Sequence, residues 1–202
     1  MRRFLTPLIA VLSVAAVGWA ALAPAWGQGA NITVNPQRRQ TYSISTMALA
    51  PAAATTDFLT LTGSATQNVW VISAGCSGVS TANATATIVA LKRSTANAAG
   101  TSTAPTRVPH DSTDPAATAT GLAYTANPTT GTLVGNLRAG KLATNTAATS
   151  STGNSGISWQ FGGDGYSQPI VLRGTTQVFA LNGAAGTFSA GTALDCWITW
   201  SE

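Results

Sequence analysis

The sequence predicts an all-β fold, an antiparallel β-sandwich or jelly roll of about nine strands with two long loops, and three observations carry that expectation. Apolar and polar residues alternate with a period of two over many short runs. Those runs are rich in β-branched and aromatic residues, and clusters of turn formers bound them.

In chain order, Tyr42-Ser43-Ile44-Ser45 alternates cleanly. Phe58-Leu59-Thr60-Leu61-Thr62 alternates more weakly and stops at the turn Thr62-Gly63-Ser64. Residues 69–74 run into Cys76, and 85–91 are dense in β-branched side chains. Runs at 132–138, 157–161, 170–173, 177–181 and 193–200 complete the nine. Gly162-Gly163-Asp164-Gly165, Arg173-Gly174-Thr175 and Asn182-Gly183 punctuate them. Successive side chains of a strand point to opposite faces. Ile157, Trp159 and Phe161 are therefore expected in the core, with Ser158 and Gln160 outside. In the last strand, Leu194, Cys196, Ile198 and Trp200 share one side, and Asp195, Trp197 and Thr199 the other. Trp197 is then a large aromatic on the nominally exposed face, which makes it a candidate interface residue together with Tyr124 and Tyr166.

Two segments break the pattern. Residues 92–131 are rich in Ala, Thr, Ser and Pro and too long for a plain connector, so they read as a functional loop or a loosely packed arm. Within them, 114–119 fits a short helix capped by Asp114, with Pro115 in its first turn, and 118–125 fits an edge strand equally well. Residues 143–156 are nearly all Thr, Ala, Ser, Asn and Gly and read as a mobile loop.

Residues 1–25 read as an export signal: Met1-Arg2-Arg3, an apolar run of 16 residues from Leu8 to Ala23, and the small-x-small pattern Ala23-Pro24-Ala25. Cleaved or kept as an N-terminal anchor, it places the body outside the cytoplasm, periplasmic or secreted, and membrane contact is expected only through an uncleaved signal. Residues 26–39 form a short linker and 40–202 a single domain. Cys76 and Cys196 suit that compartment as one disulfide joining an early strand to the last, with Cα atoms about 4.4 to 6.8 Å apart. Two buried free thiols are the alternative.

Charged residues make up 8% of the chain, and removing Arg2 and Arg3 lowers the net charge from +4 to +2. No basic face follows, so nucleic acid is not an expected partner. One histidine, five aspartates and one glutamate are too few for most hydrolytic or metal chemistry, and no cofactor, metal or catalytic residue is expected. His110-Asp111 with Asp114 is the one cluster able to carry chemistry. It lacks a Gly-x-Ser-x-Gly nucleophile turn and supplies too few oxygens for a calcium loop. The expected role of His110 and Asp111 is to hydrogen-bond loop backbone between Pro109 and Pro115.

At Lys92-Arg93-Ser94-Thr95-Ala96-Asn97, Val108-Pro109-His110-Asp111-Ser112, Ala123-Tyr124-Thr125-Ala126-Asn127-Pro128 and Val171-Leu172-Arg173-Gly174-Thr175, the chain resembles a family of small uncharacterised β-proteins of tailed-phage and prophage structural gene clusters. The similarity runs over about residues 40–202. The resemblance implies a virion-associated part, decoration-like or tail-like. The export signal departs from it, since phage structural proteins assemble in the cytoplasm, and it favours a bacterial protein sharing the fold or a domesticated copy.

The leading expectation is a non-enzymatic structural or interaction module that self-associates, a trimer being one fitting state, with a virion or cell-surface partner. The alternative is a secreted carbohydrate-binding module or adhesin. Aromatic side chains gathered on one surface would separate the two.

Overall fold

The computed structural model describes residues 39–52, 54–146, 156–162, 168–184 and 188–202, and Arg39–Glu202 form one compact unit. The described residues contain twelve strands and no helix: β1 (Thr41–Ser45), β2 (Asp57–Thr62), β3 (Val69–Val79), β4 (Ala84–Arg93), β5 (Ser102–Thr103), β6 (Val108–Pro109), β7 (Thr120–Tyr124), β8 (Leu133–Thr144), β9 (Ile157–Gln160), β10 (Ile170–Leu172), β11 (Val178–Asn182) and β12 (Ala193–Ser201). All nine runs expected from periodicity are strands. The three extra ones, β5, β6 and β7, come from the 92–131 excursion, where the strand reading of 118–125 holds and the helix reading of 114–119 does not. The residues expected to form an export signal and a linker, as far as residue 38, most of the segment expected as a 143–156 loop, and Tyr166 lie outside the described residues.

Every strand pairing is antiparallel. One sheet runs β10-β3-β12-β1-β6, with β9 also on β3; the other runs β5-β7-β2-β11-β4-β8. Because β12 occupies one side of β3, β9 and β10 lie end to end along the other, opposite Ser73–Cys76 and Val69–Val71. Without the excursion strands, and with β9 and β10 taken together, the first sheet holds the first, eighth, third and sixth strands. The second holds the second, seventh, fourth and fifth. That winding is a jelly roll.

The excursion extends both sheets on the same side: β6 pairs with β1, and β7 pairs with β2 and carries β5 beyond it. It is neither a free loop nor a loose arm. Its two-residue strands are too short to stand alone, and polar ties hold the intervening chain. The Tyr42 hydroxyl donates to Pro115 O at 2.9 Å, and Arg107 Nη1 donates to the carbonyls of Ala117 and Ala119 at 3.0 and 2.8 Å. Thr118 N and Ala119 N donate to the Glu202 carboxylate.

Alternation places the core between the sheets. Tyr42, Ile44, Leu59, Leu61, Phe179, Leu181, Ile198 and Trp200 are all buried, and Tyr42 stacks on Trp200 with ring centroids 5.8 Å apart. Burying each such side chain contributes about 1.5 to 3 kcal/mol before entropy is counted. Phe161 joins this core as expected, edge-on to Phe179. Ile157 and Trp159 do not go in fully and are only half-buried. They sit on a four-residue strand at the margin of its sheet, where β8 passes opposite and, among the described residues, no further strand closes the side.

Cys76 and Cys196 are disulfide-bonded across β3 and β12, facing the core, with Cα atoms 4.1 Å apart. Cys196 directs its backbone N–H and C=O away from β3, to Thr46 Oγ1 and Thr46 N. The two cysteines therefore face each other at a non-hydrogen-bonded pair, the closer kind of cross-strand position. This accounts for a separation slightly shorter than the expected range.

Candidate functional site

The outer face of the first sheet is built from the residues that alternation turns away from the core. Pairing aligns them in rows across the strands. Ser43, Thr199, Ser73 and Gln160 make one row, and Ser45, Trp197, Gly75 and Ser158 the next. All are small or polar except Trp197, which is half-buried where it leans over Gly75. A Cβ placed on Gly75 would stand 2.8 and 2.9 Å from the indole Cζ2 and Cε2. Glycine leaves the space that the ring fills.

Trp197 thus lies on the outward face. The other two candidate interface residues do not join it. Tyr124 is buried at the end of β7, in the second sheet, because the segment offered as an edge strand is paired on both sides, with β2 and with β5. Burial, with the nearby Asp57 charge, pushes its phenol above the ordinary value. Tyr166 lies outside the described residues.

His110 is exposed, and its Nε2 lies 2.7 Å from Ser43 Oγ, which lies 3.0 Å from Thr199 Oγ1. The role expected for this histidine, bonding loop backbone through its side chain, is replaced by a contact to a strand hydroxyl. A serine beside an imidazole is the first contact of a nucleophile and its base. The surroundings differ from such a site. Ser43 stands mid-strand, paired with Thr199 on one side and Val108 on the other, and its hydroxyl is shared with Thr199. Asp111 accepts from Thr113 N and Thr113 Oγ1 through Oδ1, shaping its own turn as expected. The Ser43–His110 contact pins the excursion to β1, next to the bond from His110 N to Thr41 O.

The densest polar cluster was not visible in the sequence. Asp57 is fully buried at the start of β2 and accepts four hydrogen bonds: from Arg93 Nε and Nη2 at 2.6 and 2.8 Å, from Asn97 Nδ2 at 2.8 Å and from Asn182 Nδ2 at 2.7 Å. Arg93 Nη1 donates to Gly131 O, and Gly131 N donates to Asn97 Oδ1. Asn127 ties the returning chain to Ala54 O and Thr56 N. Arg93, Asn97 and Asn127 belong to the short strings quoted above, so those strings encode the two roots of the excursion. The available signal was one acid and one arginine bracketing apolar strands with no exposed partner nearby.

A second clasp involves Glu202. Its carboxylate accepts from Thr118 N, Thr118 Oγ1, Ala119 N and Trp200 Nε1. Burial pushes this carboxyl up, but the hydrogen bonds from Thr118, Ala119 and Trp200 outweigh it and hold the group below its ordinary value.

Among the described residues no group of three or more His, Cys, Asp or Glu side chains is placed to hold a metal ion, and no helix is long and apolar enough to cross a membrane. No family model, no curated protein and no solved structure matches the chain.

Proposed function

We propose that this protein is a non-enzymatic structural or interaction module that self-associates, as the resemblance to virion-associated β-proteins implies, and that works outside the cytoplasm, as the signal-like residues 1–25 imply. The observation that carries this reading is the use of four of its six acids. Asp57, Asp111, Asp195 and Glu202 each accept hydrogen bonds from the fold's own backbone or side chains, holding the excursion and strand ends in place. Carboxylates used this way serve shape.

Self-association is assigned to the free edge of β8. Among the described residues this twelve-residue strand pairs only with β4. Leu133 and Val134 are 51% and 62% exposed, at the end of the strand where its register against β4 shifts, so two large apolar side chains are bare there. The edges at β5 and β6 are two residues long, the second ending in proline, which blunts them. A second copy offers the same long edge in return, the condition for a two-fold antiparallel contact between protomers.

Light scattering coupled to size-exclusion chromatography tests the reading. A discrete oligomer, with Val134→Lys moving the population toward monomer, is the expected result. A monomer at every concentration up to about 100 μM, well above a micromolar Kd, would overturn it.

A further inference from the structure

We infer that Asn182-Gly183 is a masked deamidation site: the folded chain keeps it inert, whereas a chain left unfolded converts Asn182 to aspartate or isoaspartate and is thereby barred from this fold. It is the one Asn-Gly pair in the sequence. A following glycine leaves its amide nitrogen unshielded and free to swing toward the asparagine side chain.

The reaction needs only water. Gly183 N attacks Asn182 Cγ, the new C–N bond closes a five-membered imide, and the Cγ–Nδ2 bond breaks. Ammonia leaves with the Gly183 amide proton. Water then opens the imide. Opening at Cγ gives aspartate, and opening at the Asn182 main-chain carbonyl gives isoaspartate, whose backbone runs through the side chain and is one carbon longer.

The fold holds each group that this step would move. Asn182 Nδ2 donates to Asp57 Oδ1 at 2.7 Å, and Asn182 Oδ1 accepts from Ala184 N at 2.6 Å. Gly183 N, the attacking atom, donates to Thr56 O at 3.0 Å. Asn182 is buried, and the register of β11 against β2 shifts there to set it opposite Asp57. The side-chain amide is thus tied at both ends, and the nitrogen that would attack it is turned to another segment.

Packing also explains why so labile a pair stands here. Asp57 needs the donor that Asn182 supplies. A Cβ on Gly183 would stand 3.0 Å from Phe188 Cε2, Thr55 Cβ and Thr55 O, so any larger residue crowds the turn. Either product breaks the arrangement. Aspartate sets a second carboxylate where fully buried Asp57 now receives an N–H. Isoaspartate lengthens the chain between the Asp57 contact and the bond to Thr56 O.

The test holds the full chain, disulfide intact, at mildly alkaline pH in buffer and in guanidinium chloride, with samples taken over several days. No Lys or Arg follows Arg173, and Asn182 is the only asparagine after it, so the reduced tryptic peptide 174–202 reports conversion by mass spectrometry. Conversion is expected to run at least about tenfold faster in denaturant, because the native chain reacts only through its opened population. The denatured sample is then diluted into buffer, and size-exclusion chromatography separates refolded from unrefolded chain. Converted residue 182 is expected in the unrefolded fraction alone. Equal rates in the two solvents would overturn the masking. Converted chain in the refolded fraction, at the proportion of the whole sample, would overturn the bar to refolding. Asn182→Asp, the aspartyl product made directly, is expected to unfold at lower denaturant than the parent at neutral pH, and an unchanged midpoint would overturn that bar as well.

Discussion

Arg93, the last residue of β4, reaches across β11 and lies fork to fork on Asp57, the first residue of β2. Both side chains are buried, at 7% and 0% exposure. A desolvated ion pair is stabilising only when its remaining donors and acceptors are also satisfied. Here Asn97, Asn182 and the Gly131 carbonyl satisfy them, and those partners come from both roots of the excursion and from β11. The pair therefore determines where a forty-residue insertion leaves and rejoins the second sheet.

Removing one partner leaves the other charge buried. Asp57→Ala is expected to cost about 3 to 5 kcal/mol in urea unfolding at neutral pH, and Asp57→Ala with Arg93→Met to recover a substantial part of it. Equal losses in the single and double variants would mean that Arg93 is hydrated and the pair weak.

Glu202 gives the fold a sensitivity to acid. Its folded pKa lies below the unfolded value of about 4.3, so its contribution is fully present above that value and is lost as pH falls through the folded pKa. Glu202→Gln, which turns an amide toward the donors of Thr118 and Ala119, is expected to lower stability by about 1.5 to 3 kcal/mol at pH 7 and to flatten the acid limb of the stability curve. An unchanged acid limb would show that other carboxyl groups carry it. Tyr42 and Tyr124 act in the opposite direction. Their folded pKa values are raised, chiefly by burial, so stability is complete below pH 10 and falls as pH rises beyond it.

The tryptophans of β12 and β9 separate core from margin. Trp200 is fully buried between Tyr42 and the second sheet, and Trp200→Ala is expected to cost about 3 to 5 kcal/mol. Trp159, half-buried at the sheet margin, is expected to cost about half as much when replaced by alanine. Equal penalties in denaturant melts would place β9 deeper than it is found.

The disulfide predicts the thiol count. Mass spectrometry of denatured, unreduced protein should find neither Cys76 nor Cys196 alkylatable, and reduction should lower the melting temperature. Bridging residues 120 apart is worth about 4 to 5 kcal/mol by loop entropy. Two alkylatable thiols would remove the bridge.

Periodicity was a sufficient guide wherever a strand is long enough to show its faces. The alternation of 194–200 assigned every side chain to the face it occupies, and the spacing of Cys76 and Cys196 fitted a bridge between an early and a late strand. It failed where structure is imposed from outside. Ser102–Thr103 and Val108–Pro109 are strands only because β7 and β1 lie beside them, and no two-residue pattern announces that. Tyr124, named with Trp197 as a candidate interface residue, is buried because β2 and β5 flank its strand, and β5 is too short to be seen in the sequence. The Asp57 cluster was hidden for a related reason. Its members lie as far as 125 residues apart, and an isolated charge at a strand end looks like a solvated terminus until its partners are in place.

The winding of the sheets also governs the order in which this chain is completed. β12 lies between β1 and β3, so the first sheet has a gap at its centre until the final strand arrives. Cys76 likewise waits through 120 residues for its partner. An N-terminal portion emerging from a ribosome therefore cannot close the sandwich early. Completion of the fold must follow release of the last strand.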